Sequence, residues 1–132
     1  VPISTATGAL LTAGGVWQNS SSRERKEHIE ALSGAQAMQA LAELRPVTYN
    51  YKVDAEEKHV GFIAEDVPEL LASKDRKSLS ALDIVAVLTK AVQEQKQVVD
   101  EQKQALETLS ATVTELKAEV NRLKRRDTVA QR

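Results

Sequence analysis

The chain has 132 residues, with 18 lysines and arginines against 19 aspartates and glutamates, so its formal net charge is −1. This balance argues against a nucleic-acid-binding surface. With no cysteine and only two histidines, it has no disulfide framework or thiolate metal site, and a histidine-rich metal site is not expected either. We therefore expect no cofactor and no metal. No apolar run reaches the roughly 20 residues that span a bilayer, so no membrane partner is expected.

The first charged residue is Arg23, and the segment before it is rich in glycine, alanine, threonine and serine. We expect residues 1–19 to be the C-terminal end of an upstream passenger domain or a linker. The rest is expected to divide into a globular part at 20–80, a long helix at 81–126 and a tail at 127–132. The first segment, Val1 to Ser22, is predicted to be extended or irregular, with a bend at Gly14-Gly15.

A short helix is predicted after Ser33, which with Gln36 three residues later forms a capping box. Apolar residues then follow at helical spacing, at Ala37, Met38, Leu41 and Leu44. Pro46 ends this helix, because the residue before a proline is disfavoured in the α conformation.

From Val47 to Val53 the apolar period changes to two, which predicts a half-buried strand. Residues 54–58 are predicted to be a polar loop and His59 to Ile63 a second strand. A two-stranded ribbon is marginal alone, so it must pack on helices. The aromatic residues expected to pack against the first helix are Tyr49, Tyr51 and Phe62.

A long C-terminal helix is predicted from Ser80, whose cap includes Asp83, because no proline or glycine follows. One heptad register continues through it, with first core positions Val85, Val92, Val99, Leu106, Val113 and Val120, and second core positions Leu88, Gln95, Gln102, Leu109, Leu116 and Leu123. This repeat indicates a left-handed coiled coil. Folding back as a monomeric bundle is the alternative, but the remaining residues supply too little apolar length. The pattern leaves dimer and trimer open.

Four runs occur in a distinctive order: KEHIEAL (26–32), LAELRPVTYNYK (41–52), HVGFIAEDVPELL (59–71) and DIVAVLTKAVQEQK (83–96). They resemble the intramolecular chaperone auto-processing domain at the C-terminus of phage endosialidases, tailspikes, tail fibres and neck appendages. The resemblance covers about Ser20 to Lys96, and GFIAEDV and PVTYNY are its most specific parts.

The resemblance implies an α-rich α+β fold, in which short helices and a small β-hairpin precede a long helix in a parallel trimeric coiled coil. It implies a homotrimer that assists folding of an upstream passenger domain of the same chain, in the host bacterial cytoplasm during assembly, or on the virion tail fibre if not released. It further implies self-release by a serine auto-protease. A non-cleaving structural trimerisation domain of a fibre protein is the alternative.

The family's catalytic dyad is a serine followed five residues later by a lysine, which places it here on Ser21 and Lys26. Two positions depart from the family pattern, with Ser22 replacing an aspartate and Glu24 an arginine. Because Ser20 and Ser22 flank Ser21, the identity of the nucleophile stays open.

An ordinary lysine, with a pKa of about 10.4, is protonated at neutral pH. Lys26 could act as a base only if burial and like charges favoured its neutral form. Arg23 and Arg25 act in that direction, whereas Glu24 and Glu27 oppose it.

Residues five apart on an α-helix are rotated by roughly 140°. We therefore expect Ser21 on an extended segment ahead of a helix that contains Lys26, or a lysine from a neighbouring chain. The first arrangement would also place helix N-terminal amides near the scissile carbonyl. Ser21 reaches the carbonyl of Ser20 through a five-membered ring, which predicts a cut between Ser20 and Ser21. His59 is a conceivable third catalytic group, or a strand-edge residue with local hydrogen bonds.

Overall fold

The computed structural model describes residues 3–131, so the predictions for Val1, Pro2 and Arg132 lie outside the described residues. The chain divides into two compact units between Ala31 and Leu32. Residues 20–31, which we expected in the globular part, therefore group with the preceding segment. Each unit is described by itself below.

The N-terminal unit contains a small antiparallel pair of strands, β1 (Leu10–Leu11) and β2 (Trp17–Gln18). The predicted bend lies between them. In this bend the amide of Gly15 donates to the carbonyl of Thr12 at 3.0 Å. Gly15 has a φ of +79°, a conformation that glycine adopts without steric cost.

Helix α1 (Gly34–Glu43) has the predicted capping box. The hydroxyl of Ser33 accepts from the amide of Gln36 at 3.1 Å, and the side chain of Gln36 accepts from the amide of Ser33 at 3.2 Å. The helix ends at Glu43, and Leu44 is already extended. Pro46, which cannot donate to a preceding carbonyl, follows two residues later. The predicted start of this helix is confirmed, and its end lies just before Leu44, the last position that the apolar spacing included.

Helix α2 (Ala81–Ala130) is continuous over 50 residues, roughly 75 Å at 1.5 Å per residue. Its N-terminal cap is the predicted one, since the hydroxyl of Ser80 accepts from the amide of Asp83 at 3.3 Å. The helix continues past residue 126, where the tail was predicted to begin. Residues 127–130 are helical because no proline or glycine interrupts them.

The core of the second unit lies between α1 and α2. Ala37 and Ala40 of α1 are buried against α2, and their small side chains allow close approach of the two helices. The other buried members of the core are Val67, Leu71, Ile84, Val87 and Ala91.

The predicted hairpin is present, as β3 (Val47–Tyr51) and β4 (Asp54–Gly61), but its second strand begins earlier than expected. The predicted loop at 54–58 is wrong, because the chain already turns at Lys52-Val53, where Val53 is 97 % exposed. The ladder shifts between Asn50 and Tyr51. There the side-chain amide of Asn50 donates to the carbonyl of Glu57 at 2.7 Å. A polar ribbon of this kind lacks the alternation by which half-buried strands are recognised.

The chain is thus α+β, with two small hairpins and a long C-terminal helix. On α2 of the single chain, the ten valines and leucines of the heptad are between 39 % and 64 % exposed. Within residues 3–131, no helix combines the length and the apolar character needed to cross a membrane.

Candidate functional site

A single 3-10 turn, Arg23–Arg25, separates the two candidate catalytic residues. Ser22 precedes the turn in an extended conformation, and its hydroxyl accepts from the amide of Glu24 at 3.4 Å. Lys26 ends the turn and is again extended. The chain therefore reverses within a few residues, so the side chains on either side of the turn can meet.

Nζ of Lys26 donates to Oγ of Ser21 at 2.6 Å. Both side chains belong to one chain, and both residues are exposed. Within the single chain, Ser21 meets the lysine of its own chain, and a lysine from a neighbouring chain stays a prediction. Lys26 does not lie in a helix as expected, because the turn after Ser22 is only three residues long.

The three consecutive serines have different contacts. Ser22 caps the turn, and Ser20 is half-buried with its hydroxyl beside Gly8. Ser21 is the serine whose hydroxyl meets Lys26. The serine that contacts the lysine is therefore the same one that the spacing of the family motif selects.

Three amides at the turn do not contribute to the expected oxyanion site. The amide of Glu24 donates to the hydroxyl of Ser22, and the amide of Arg25 donates to the carbonyl of Ser22 at 3.1 Å. The amide of Lys26 donates to the carbonyl of Arg23 at 3.2 Å. A three-residue turn consumes these donors internally, so they cannot stabilise charge on the carbonyl of Ser20.

One charged neighbour of the dyad, Arg25, bonds the backbone of the preceding segment. The guanidinium of Arg25 donates to the carbonyl of Thr7 at 3.3 Å. Among the ion pairs of residues 3–131, none joins Lys26 to Glu24 or Glu27. Within the same range, no cluster of three histidines, aspartates or glutamates could hold a metal ion.

His59 lies in β4 and takes part in an aromatic cluster of the hairpin. Its ring stacks on Tyr49 with centroids 5.6 Å apart and meets Tyr51 edge-on at 5.2 Å. The hydrogen bond between the two tyrosine hydroxyls raises the pKa of Tyr49. These contacts are local to the hairpin. The expectation that both tyrosines pack in the core is wrong, since of the three aromatic residues only Phe62 packs against it.

An apolar groove of about 800 Å³ lies between the hairpin and the start of α2. Exposed apolar side chains line it, among them Val60, which is 77 % exposed, and Val85, which is 53 % exposed. Sequence reasoning missed this groove because its walls come from three separate segments. The one available signal was Val85, which is also the first heptad position.

The family model described as "chaperone of endosialidase" matches residues 21–76, somewhat less than half of the chain. The matched segment begins at the candidate nucleophile and includes α1 and both strands of the hairpin. No curated protein and no solved structure matches the chain. The family match confirms the resemblance to the intramolecular chaperone auto-processing domain and supports an intramolecular chaperone role.

Proposed function

We propose that this chain, whose residues 21–76 match the family described as chaperone of endosialidase, trimerises, assists the folding of an upstream passenger, and then releases itself by cleavage. The passenger would be a phage tail-fibre or tailspike type domain on the same chain. The observation that carries the cleavage step is the contact of Lys26 Nζ with Ser21 Oγ at 2.6 Å. A permanent trimerisation domain without cleavage is the second candidate, favoured by the exposure of both residues of the dyad.

In the proposed reaction, Oγ of Ser21 attacks the carbonyl carbon of Ser20 while neutral Lys26 takes the hydroxyl proton. The Ser20–Ser21 C–N bond then breaks, and Lys26 returns the proton to the leaving nitrogen. This leaves Ser20 as an ester on Oγ of Ser21. Water hydrolyses the ester, which gives a carboxylate on Ser20, the hydroxyl of Ser21 and a new amino terminus.

The lysine must lose a proton before it can act as the base. In the contact with Ser21, Nζ is the donor, whereas a general base must accept the hydroxyl proton. Burial between neighbouring chains disfavours a charged ammonium. We therefore infer that assembly activates Lys26, so that cleavage follows correct trimerisation.

The proposed trimer uses the heptad stripe of α2, whose ten valines and leucines remain 39–64 % exposed in the single chain. A fully buried valine or leucine contributes roughly 1.5–3 kcal/mol, so a second and third copy of α2 are the occupants that this stripe fits. Val85 lies both in the stripe and in the wall of the groove. A parallel neighbour that packs on Val85 therefore extends over the groove.

Trimerisation would assist folding by raising the local concentration of the three linked passengers. Strands of three passengers can then find their register as intramolecular partners. We place this step in the cytoplasm of a host bacterium during phage assembly, and an uncut chain on the virion tail fibre.

The test is the intact mass of freshly expressed chain, denatured so that cut fragments separate. We expect the wild-type chain to yield a product that starts at Ser21, and Lys26→Ala to stay full-length. Lys74→Ala is the matched control, because Lys74 is an exposed lysine of the second unit. A full-length mass for all three chains would contradict self-cleavage and favour the permanent trimerisation domain. A product that starts at Ser20 or Ser22 would contradict the proposed cut.

A further inference from the structure

The upstream segment forms a compact turn, Thr5–Ala9, beside the proposed cleavage site. The amide of Thr5 donates to the carbonyl of Ala9 at 2.9 Å, and the amide of Gly8 donates to the carbonyl of Thr5 at 3.0 Å. The hydroxyl of Thr5 accepts from the amide of Ala9 at 3.0 Å. Ala9 is buried. These bonds give the turn a defined shape, with the carbonyl of Thr7 facing outward to Arg25.

Two residues of the cleavage segment contact this turn at Gly8. The point where a Gly8 side chain would begin lies 3.4 Å from Oγ of Ser20 and 3.5 Å from Cζ of Arg25. Gly8 also has a φ of +90°, which favours glycine. Ser20 carries the carbonyl that we propose is attacked, and Arg25 is the residue before Lys26. The turn therefore touches the segment on both sides of the Ser21–Lys26 contact.

We infer that Arg25 is a positioning residue that fixes the Ser20–Ser21 peptide and Lys26 against the turn Thr5–Ala9. This inference rests on the proposed self-cleavage. Its consequence is that the bond is cut efficiently only when the end of the upstream segment is folded. The physical reason is that misplacement of reacting groups by about 1 Å can lower a rate roughly a hundredfold. Arg25 limits such misplacement through a carbonyl 18 residues away.

Arg25 could instead affect cleavage only by its positive charge near Lys26. Three single variants separate the two roles. Arg25→Ala removes both the charge and the bond to Thr7, and Arg25→Lys keeps the charge and one donor. Arg23→Ala removes the same charge from the same turn but leaves the Arg25–Thr7 contact intact.

The measurement is the rate of product formation across a pH series, with the oligomeric state checked for each variant. We expect Arg25→Ala to be cleaved roughly ten- to a hundredfold more slowly than Arg23→Ala at every pH. The midpoint pH of the rate profile should be unchanged, and Arg25→Lys should recover part of the lost rate. Equal rates in Arg25→Ala and Arg23→Ala would overturn the positioning role. A shifted midpoint pH with an unchanged maximal cleavage rate would mean that Arg25 acts through its charge instead.

A second comparison changes the turn Thr5–Ala9 instead of Arg25. Gly8→Leu and Gly15→Leu place the same side chain at a positive φ. A Cβ at Gly8 would already be in ordinary contact with Ser20 and Arg25, so the larger leucine would displace them, whereas nothing lies within 4 Å at Gly15. We expect Gly8→Leu to slow cleavage more than Gly15→Leu does. Equal slowing in both would mean that general strain, and not the contact with Ser20 and Arg25, is responsible.

Amide hydrogen exchange in a Ser21→Ala background tests the contact without cleavage. We expect Arg25→Ala, but not Arg23→Ala, to speed exchange at Gly8 and Ala9. If the wild-type chain is never cut, the proposed function fails. Faster exchange in Arg25→Ala would then show only that Arg25 stabilises the turn Thr5–Ala9, without a role in cleavage. If the wild-type chain is cut but Arg25→Ala behaves as Arg23→Ala in both assays, the positioning role alone is refuted.

Discussion

The heptad seam of α2 makes a quantitative prediction at Val92. This residue occupies a first core position and is 62 % exposed in the single chain. Val129, on the same helix, is 72 % exposed but lies off the seam. Replacing either valine by alanine removes the same two methyl groups and gives a similar gain in helix propensity. Their difference therefore isolates the contribution of the seam.

The expected magnitude follows from the area that remains to be buried. Two buried methyl groups are worth about 1.6 kcal/mol, at about 0.8 kcal/mol per carbon, and 62 % of this is about 1 kcal/mol per chain. Three chains lose about 3 kcal/mol, which is roughly a hundredfold in the trimer dissociation constant. Because that constant scales with the square of concentration, the midpoint of assembly should rise roughly tenfold.

Sedimentation over a concentration series measures this midpoint, with a moderate, constant denaturant concentration if the wild-type trimer is too tight. We expect Val92→Ala to assemble at about tenfold higher concentration than Val129→Ala. Equal midpoints for the two variants would refute the heptad seam, since exposure alone would then account for their behaviour. A monomeric wild-type chain at all concentrations would refute the trimer itself.

Three further predictions concern the second unit. Ser33→Ala should lower its free energy of unfolding by about 1 kcal/mol in urea titrations, because the capping box of α1 is lost. The hydrogen bond from Lys77 lowers the pKa of Glu65 in the folded chain. The pair's contribution to stability is therefore present above pH 4.5 and is lost as the pH falls through the lowered pKa of the folded state. Lys77→Met should raise the pKa of Glu65 in carboxyl NMR titrations, and an unchanged pKa would contradict the assignment. Val60→Asp, in the groove wall, should weaken the trimer in sedimentation experiments, whereas Val53→Asp at the hairpin tip should not.

The starts of the two helices and the heptad stripe were predictable from the sequence because both depend on neighbouring residues. The capping box joins Ser33 to an amide only three residues away. The heptad is periodic, so each repeat supports the next. The absence of proline and glycine after Ser80 predicted the continuous helix, although its end at Ala130 lies beyond the predicted boundary.

The start of β4 could not be predicted in the same way. Its first residues are mostly charged and exposed, and they form the irregular part of the ladder, where the side-chain amide of Asn50 donates to the carbonyl of Glu57. Such a bond replaces a regular ladder contact and leaves no hydrophobic pattern. The alternation that began at Val47 also continued to Val53, which the structure places in the turn.

The candidate dyad was located by resemblance, since the residues alone show only a serine and a lysine five positions apart. The structure adds their contact and assigns different surroundings to the neighbouring serines. The contact between Arg25 and Thr7 had no signal in the sequence. Its acceptor is a backbone carbonyl, which every residue possesses, and 18 residues separate the two partners.

Helix α2 presents two apolar stripes, and their relative placement explains how one helix can serve both folding and assembly. Each buried residue that contacts the core is followed directly by a heptad residue, in the pairs Ile84 and Val85, Val87 and Leu88, and Ala91 and Val92. Adjacent residues on a helix are about 100° apart, so α1 packs beside the seam without covering it. The core stripe ends at Ala91, whereas the heptad continues to Leu123. Each chain can therefore complete its own core without the seam, which leaves the later heptads available for the trimer that we propose.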